Sequence, residues 1–361
     1  MLEQDENAKR TLIERYIEGA ASESELMVFF DLMGRQEIDR LVSEYMDKEV
    51  EQMLARQRPA PVSPVRRYAA IAAVILITLS AGVFFLVRSD PDKQVIDRRP
   101  ALSQGTLTLA NGRKIILNKA LNGKIADQNG MVISVDDQRQ ITFSGKVTDQ
   151  NANLFNSVAT ARGEKLAYPV VLADGTKVWL NAASSITFPV AFNGKKRIVK
   201  LTGEAYFDVA HDESRQFEVE TRDQIIKDIG TSFNINAYED EPAMHTTLIS
   251  GSASVNNIVI KPGQQAVGAG AQLKITDVNT DGVVAWKNNY FKLDNEELTA
   301  IMREISRWYN VEVVYADQID NQKYYGTINR FSDLSKVLDK LESTGTVKFK
   351  AEGNKVTVYK K

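Results

Sequence analysis

Twenty consecutive residues without a charge, Tyr68–Val87 (YAAIAAVILITLSAGVFFLV), constrain the fold of this 361-residue chain more than any other feature. At about 1.5 Å per helical residue they reach roughly 30 Å, the thickness of a hydrocarbon core. A buried core helix is normally shorter and keeps a polar face. A secretory signal would not begin some 67 residues into the chain, behind an acidic helical segment. The run therefore predicts a single transmembrane helix, 68–87. Charge leaves its orientation open, because Arg56, Arg58, Arg66 and Arg67 precede it and Arg88, Lys93, Arg98 and Arg99 follow it.

The rest of the composition works by exclusion. With 45 Lys+Arg against 47 Asp+Glu the chain lacks the basic excess of an architectural nucleic-acid binder. Having no Cys, it has no disulfide framework, Cys-ligated zinc or thiol nucleophile, and with only His211 and His245 it is poorly furnished for a His-rich metal site or a Ser-His-Asp hydrolase.

Residues 1–58 carry 8 Lys+Arg and 14 Asp+Glu, with no proline. Apolar residues recur at helical spacing: Leu12, Ile13, Tyr16 and Ile17; Leu26, Phe29, Phe30 and Met33; Leu41, Val42, Tyr45 and Met46; then Val50, Met53 and Leu54. About three amphipathic helices follow, the second opened by a capping box at Ser22 and Glu25 and the first closed by Gly19. So small a unit buries little surface, so its apolar stripe is either its own core or is completed by a partner. Three prolines in Arg58–Pro64 mark 59–67 as an extended spacer.

Beyond the apolar run, 107–284 alternates in short runs broken by Gly, Asn and Asp, which predicts an all-β domain. It contains an echo: LTLANGRKIILN (107–118) aligns with VVLADGTKVWLN (170–181). Each reads as a hairpin whose Asn-Gly or Asp-Gly pair would form a type I′ turn, and the pair suggests a stacked or solenoid-like domain of two related layers. Residues 286–361 predict strand 288–295, helix 296–309, strand 311–316, strand 324–328, helix 332–344 started by Ser332, and a hairpin of 347–352 and 355–360 across Gly353-Asn354. This β-α-β, β-α-β-β order describes an α+β domain with its helices on one side of a small sheet.

No catalytic constellation stands out, and neither enzyme activity nor a cofactor or metal is expected. Glu204 and Asp208 lie four residues apart on one predicted strand, about 13 Å between backbones, beyond the roughly 5–9.5 Å of glycosidase carboxylates. Glu239-Asp240-Glu241 reads as a solvated acidic turn, His211 as a surface turn, and VGAGAQ (267–272) as a turn lacking the Lys-Ser/Thr of a phosphate loop.

The segments TARGEKLAYPVVLADGTKVWLNAASSITFP (160–189), KLTGEAYFDVA (200–210), FEVET followed by IGTSFNINAYEDE (217–241), TTLISGSASV (246–255) and KPGQQA (261–266) resemble the FecR domain of transmembrane anti-sigma factors. FKLDNEELTAIMREISRWYNVEVVY (291–315) resembles the C-terminal domain that accompanies it in Bacteroidetes members, similar in plan to secretin/TonB short N-terminal modules, and RYIEGAASESEL (15–26) resembles the family's helical head. The resemblance implies a multidomain protein: an all-α cytoplasmic head (1–58), a linker (59–67), the transmembrane helix (68–87), a periplasmic linker (88–106), the all-β FecR domain (107–284) and the α+β signalling domain (286–361). It implies an inner-membrane protein with its N-terminus in the cytoplasm, whose head holds an extracytoplasmic-function sigma factor. Release would follow a periplasmic signal from an outer-membrane TonB-dependent receptor, often through site-specific or intramembrane proteolysis. The mid-span stretch Thr78, Ser80, Ala81 and Gly82, in which Thr, Ser and Gly lower helix propensity, suits that step. The expected sigma-contacting residues are Leu12, Ile13, Tyr16, Ile17, Leu26, Phe29, Phe30 and Met33. Family heads frequently carry Trp there, whereas the first Trp here is Trp179. Aromatic anchoring would fall to Tyr16, Phe29, Phe30 and Tyr45.

The alternative is an envelope-anchored protein whose β domain binds a glycan or scaffold directly and has no sigma-factor role. Trp179 and Tyr206 would then stack on sugar rings, unless they face inward as ordinary strand residues.

Overall fold

The computed structural model describes residues 2–17, 20–35, 37–56, 98–99, 101–145, 148, 154–228, 230–269, 272–320 and 322–361. The chain divides into two units, Met1–Pro91 and Asp92–Lys361.

The first unit holds helices α1 (Leu2–Ile17), α2 (Glu23–Gly34) and α3 (Asp39–Arg56). Ser22 caps α2 as its sequence predicts: the Glu25 N–H donates to Ser22 Oγ, and the Ser22 N–H donates to the Glu25 carboxylate at 2.8 Å. Ile13, Phe29, Ile38 and Leu41 form the core, with Leu12, Leu32, Val42 and Tyr45 packed around it. Gly19, the expected stop of α1, lies outside the described residues.

The expected membrane crossing requires a correction. Among the described residues no helix is long and apolar enough to span a bilayer. Even α3, at 18 residues, carries Asp39, Arg40, Glu44, Asp47 and Lys48 along its length. What is described is a small helical part followed by a large, mostly β region, without the single transmembrane helix. The run 68–87, with Thr78, Ser80, Ala81 and Gly82, lies outside the described residues.

In the second unit eighteen strands form two sheets joined through one long strand, β10 (Lys196–Asp208). The first sheet runs, in spatial order, β16 (Ile258–Ile260), β15 (Ala253–Val255), β12 (Ile225–Asp228), β11 (Gln216–Glu220), β10, β9 (Ser184–Pro189), β6 (Phe155–Thr160), β1 (Gln104–Thr108) and β2 (Lys114–Asn118). The second runs β3 (Gly123–Gln128), β4 (Met131–Val135), β5 (Ile141–Gly145), β7 (Val170–Val171), β8 (Lys177–Leu180), β10, β13 (Ser232–Ala237), β14 (His245–Ser250), β17 (Gln264–Ala269) and β18 (Gln272–Asp277). Pairing is antiparallel except β10 with β11 and β5 with β7. Leu107, Val158, Ile186, Val199 and Phe217 of the first sheet share one core with Ile133, Val178, Phe207, Phe233 and Ile235 of the second.

The first half of β10 pairs with β9 and β11, and its second half with β8 and β13. Gly203 sits at the crossing with φ +78°, where a Cβ would come within 2.5 Å of Ser184 Oγ and 2.7 Å of the Ala183 carbonyl. Only glycine allows both that conformation and that approach.

Both copies of the echo are hairpins, β1–β2 in one sheet and β7–β8 in the other. Their turns are not type I′. The Gly112 N–H donates to the Leu109 carbonyl and the Leu109 N–H to the Arg113 carbonyl, with the same pattern at Leu172, Gly175 and Thr176. Only the glycines have positive φ, +82° and +88°, so each loop is a type I turn closed by a left-handed glycine.

A short helix α4 (Thr280–Val283) leads to β19 (Tyr290–Glu297), α5 (Leu298–Tyr309), β20 (Glu312–Tyr315), β21 (Lys323–Asn329), α6 (Leu334–Glu342), β22 (Val347–Glu352) and β23 (Lys355–Lys360). These match the order read from the sequence, with two differences. The strands make two small sheets, β19–β21 and β20–β23–β22, because β20 joins β23 in parallel. Helix α6 begins after Asp333 rather than Ser332. Phe291, Ile305, Trp308, Val337, Val356 and Val358 fill this second core.

Candidate functional site

Two surfaces concentrate chemistry that packing alone does not explain. The first is the outer side of the helical head. Tyr16 stacks on Phe29 at 4.0 Å between ring centres, and Phe30 meets both rings edge-on at 6.1 and 5.6 Å. Of the eight residues expected to contact a sigma factor, Ile13 and Phe29 are buried in the head's own core and Leu12 and Leu26 are half-buried. Tyr16, Ile17, Phe30 and Met33 are exposed. Sequence periodicity missed Met27 and Val28, which are more than half exposed, as is Met46, which it places on the apolar stripe. The overlooked signal was the unbroken run Leu26-Met27-Val28-Phe29-Phe30 in α2: five residues go once round a helix of about 3.6 per turn, so one buried face cannot accommodate them.

Beside this apolar surface a groove of about 700 Å³ opens between α1 and α2, lined by Leu12, Val28 and Leu32 with Arg15 and Glu25. Arg15 pairs with Glu25 at 2.6 Å, Lys9 with Glu37 at 3.0 Å, and the Tyr45 hydroxyl donates to Glu14. The Ser22 backbone N–H and hydroxyl hold the Glu25 carboxyl below the usual carboxylate range.

The second surface is the seam where the α+β module covers the outer face of the second sheet. Residues at alternate positions of β8 and β10 point away from the core: Trp179 and Tyr206 meet edge to face at 5.6 Å, and the Lys287 ammonium lies 4.5 and 4.8 Å from the two ring centres. They neither face inward nor form a vacant sugar platform. Glu204, on the same face, is 8% exposed and accepts from Asn181 Nδ2 at 2.7 Å and Asn234 Nδ2 at 3.0 Å. Burial raises its carboxyl to about 7 against the pull of those amides. Asp208, once its potential catalytic partner, is exposed and accepts from the Ser232 hydroxyl at 3.2 Å.

From the module, Arg330 enters the seam. It donates to Glu304 at 2.7 Å, the Tyr290 carbonyl at 3.1 Å and Asn181 Oδ1 at 3.4 Å, and it lies over the Phe291 ring. Trp286 Nε1 donates to Asn234 Oδ1 at 3.0 Å. Lys165 reaches Asn289 Oδ1 at 2.7 Å and the Trp286 carbonyl at 3.2 Å; burial pushes its ammonium down to about 7. The acidic stretch Glu239-Asp240-Glu241 is no free turn: Arg307 pairs with Asp240 at 2.7 Å and Glu241 at 2.6 Å, and Arg303 with Glu241 at 2.7 Å. His211 is exposed, its Nε2 3.5 Å from Glu213.

Family models match two stretches of the chain: the one described as "FecR protein" matches residues 156–254, and the one described as "FecR, C-terminal" matches 290–358. The fold is similar to crystal structures of a proposed anti-sigma factor from Parabacteroides distasonis ATCC 8503, at 1.65 Å and 2.50 Å resolution, with 27% and 26% identity and a TM-score of 0.52 in each case. Each superposition covers 57% of this chain and 99% of the other. No curated protein matches the chain.

Proposed function

We propose that this chain, which belongs to the FecR family, acts as an anti-sigma factor whose helical head sequesters an extracytoplasmic-function sigma factor. The observation that carries this reading is the apolar surface of the head: Tyr16, Ile17, Met27, Val28, Phe30 and Met33 are all at least 37% exposed on a unit with little core of its own. Aromatic and Met side chains on an acidic body form a surface that fits a basic, partly apolar partner. A sigma factor, whose DNA-facing surfaces are basic, is such a partner.

The β-rich unit is the receiver in this proposal. It takes the signal from an outer-membrane TonB-dependent receptor on the periplasmic side of the inner membrane, and the head works on the cytoplasmic side. The test is a reporter under a promoter dependent on the sigma factor. Expressing the whole chain should silence it, and inducing the receptor should restore output. Unchanged reporter output with the chain present would overturn the sequestering role; silencing that no receptor relieves would overturn the receiver role alone. Protease added to spheroplasts should cut the β-rich unit and spare the head, and the opposite pattern would overturn the assignment of sides.

A further inference from the structure

The seam encloses a cavity of about 540 Å³, within the roughly 300–1,000 Å³ of small-molecule sites. Its walls belong to both bodies of the second unit: Glu204, Asn236 and Gln265 come from the outer face of the sandwich, and Glu296, Glu304 and Arg330 from the α+β module. Trp286 and Tyr290 add aromatic surface.

The lining has a definite chemistry. Glu204 is nine-tenths buried, and Arg330, whose charge acts on it, makes its ion pair with Glu304 instead. Each of its oxygens takes one amide N–H. A carboxylate has about four lone-pair directions, so two acceptor positions are left for a ligand's donors. Asp294 and Glu296 add acceptors, whereas the amides of Asn236, Asn279 and Asn295 and the Lys292 ammonium offer donors.

A bare cation would leave the amide donors unmet, and an anion would face five carboxylates against Lys292 and Arg330. Hydroxyl groups donate and accept, and they carry no charge. The C–H face of a sugar ring also suits an aromatic wall. We propose that this cavity binds a neutral, polyhydroxylated small molecule of the saccharide class, held jointly by the sandwich and the α+β module. The site is independent of the head and of any sigma factor. It also differs from Trp179 and Tyr206, whose rings are occupied by Lys287.

The test is calorimetric titration of the full chain with glucose, galactose, N-acetylglucosamine and lactose, with glucosamine and galacturonate as cationic and anionic controls. At least one neutral sugar should bind saturably below about 10 mM, and galacturonate at least tenfold more weakly. Asn236→Ala and Asn295→Gly, the latter because Asn295 has φ +63°, lie on different bodies and should each weaken binding about tenfold while the melting curve of the unliganded protein stays unchanged. If one variant melts early, the other carries the test. No saturable binding by any neutral sugar, equal or tighter binding by a charged one, or unaltered binding by the correctly folded variants would overturn the proposal.

Discussion

Phe29 and Phe30 are adjacent, aromatic and part of one apolar run, yet Phe29 is 2% exposed and Phe30 57%. Successive helical residues point about 100° apart, so periodicity identifies a stripe without saying which edge meets its own helices and which meets a partner. The two positions therefore make opposite predictions. Phe29→Ala should cost the head about 3–5 kcal/mol and unfold it. Phe30→Ala should cost the head no more than about 1.5 kcal/mol, through its edge-on contacts with Tyr16 and Phe29, and weaken sigma-factor binding by about 2 kcal/mol. Denaturant titration and binding on the same samples check both.

Glu204 makes a prediction about pH. Its folded-state carboxyl titrates near 7, above its ordinary value of 4.5, so between those values the native protein holds a proton that the unfolded chain has lost. Its contribution to stability is complete below about pH 4.5 and is lost as pH rises through about 7, a difference of about 3 kcal/mol. Lys165 works in the opposite sense above neutrality: its lowered folded-state value makes stability rise again from about pH 7 towards 10.5. Melting temperature should therefore pass through a minimum near neutral pH. Glu204→Gln should remove the falling limb while lowering stability overall, because an amide N–H₂ would then face one of the Asn donors. A falling limb that persists in Glu204→Gln would contradict this assignment. None of this was legible in GEAYFDV, since the burial of Glu204 comes from a module that begins at β19, some eighty residues later.

At the scale of elements, strands and helices were legible wherever a short-range signal defined them. Alternation, the two Gly turns and the Ser22–Glu25 box each became the element they indicated. What went wrong was turn chemistry. Asn111 and Asp174 keep ordinary φ and use their side chains instead, accepting from the N–H groups of Arg113 and Thr176 at 3.0 Å in both turns. Asp174 also meets the fully buried Arg197 at 2.7 Å, a reason for a carboxylate in the second copy that no local pattern reveals. Glu239-Asp240-Glu241 was misread for the same reason, its arginines being on α5. Gly203 is the sharpest test of the element-level account, because β10 changes sheets there. Gly203→Ala should destabilise the second unit by about 1–3 kcal/mol through strain, and further through its clash with Ala183 and Ser184, as read by denaturant unfolding. A variant as stable as the parent would mean that the crossing does not need glycine.

For the whole molecule, charge and hydropathy averages concealed a division that the structure makes explicit: an acidic helical unit with an apolar exterior, and a β-rich unit with two well-filled cores. The transmembrane helix read from 68–87 is not part of the described fold. Pairing between distant parts of the chain was illegible, including the seam that joins sandwich and module. The head carries the central claim, and its most direct test is titration of the purified full chain with the extracytoplasmic-function sigma factors of its own host. The account predicts a saturable complex with one of them, of about micromolar affinity or tighter, weakened at least tenfold by Phe30→Ala. A correctly folded chain that binds none of them, or whose Phe30→Ala variant binds as tightly as the parent, would contradict it.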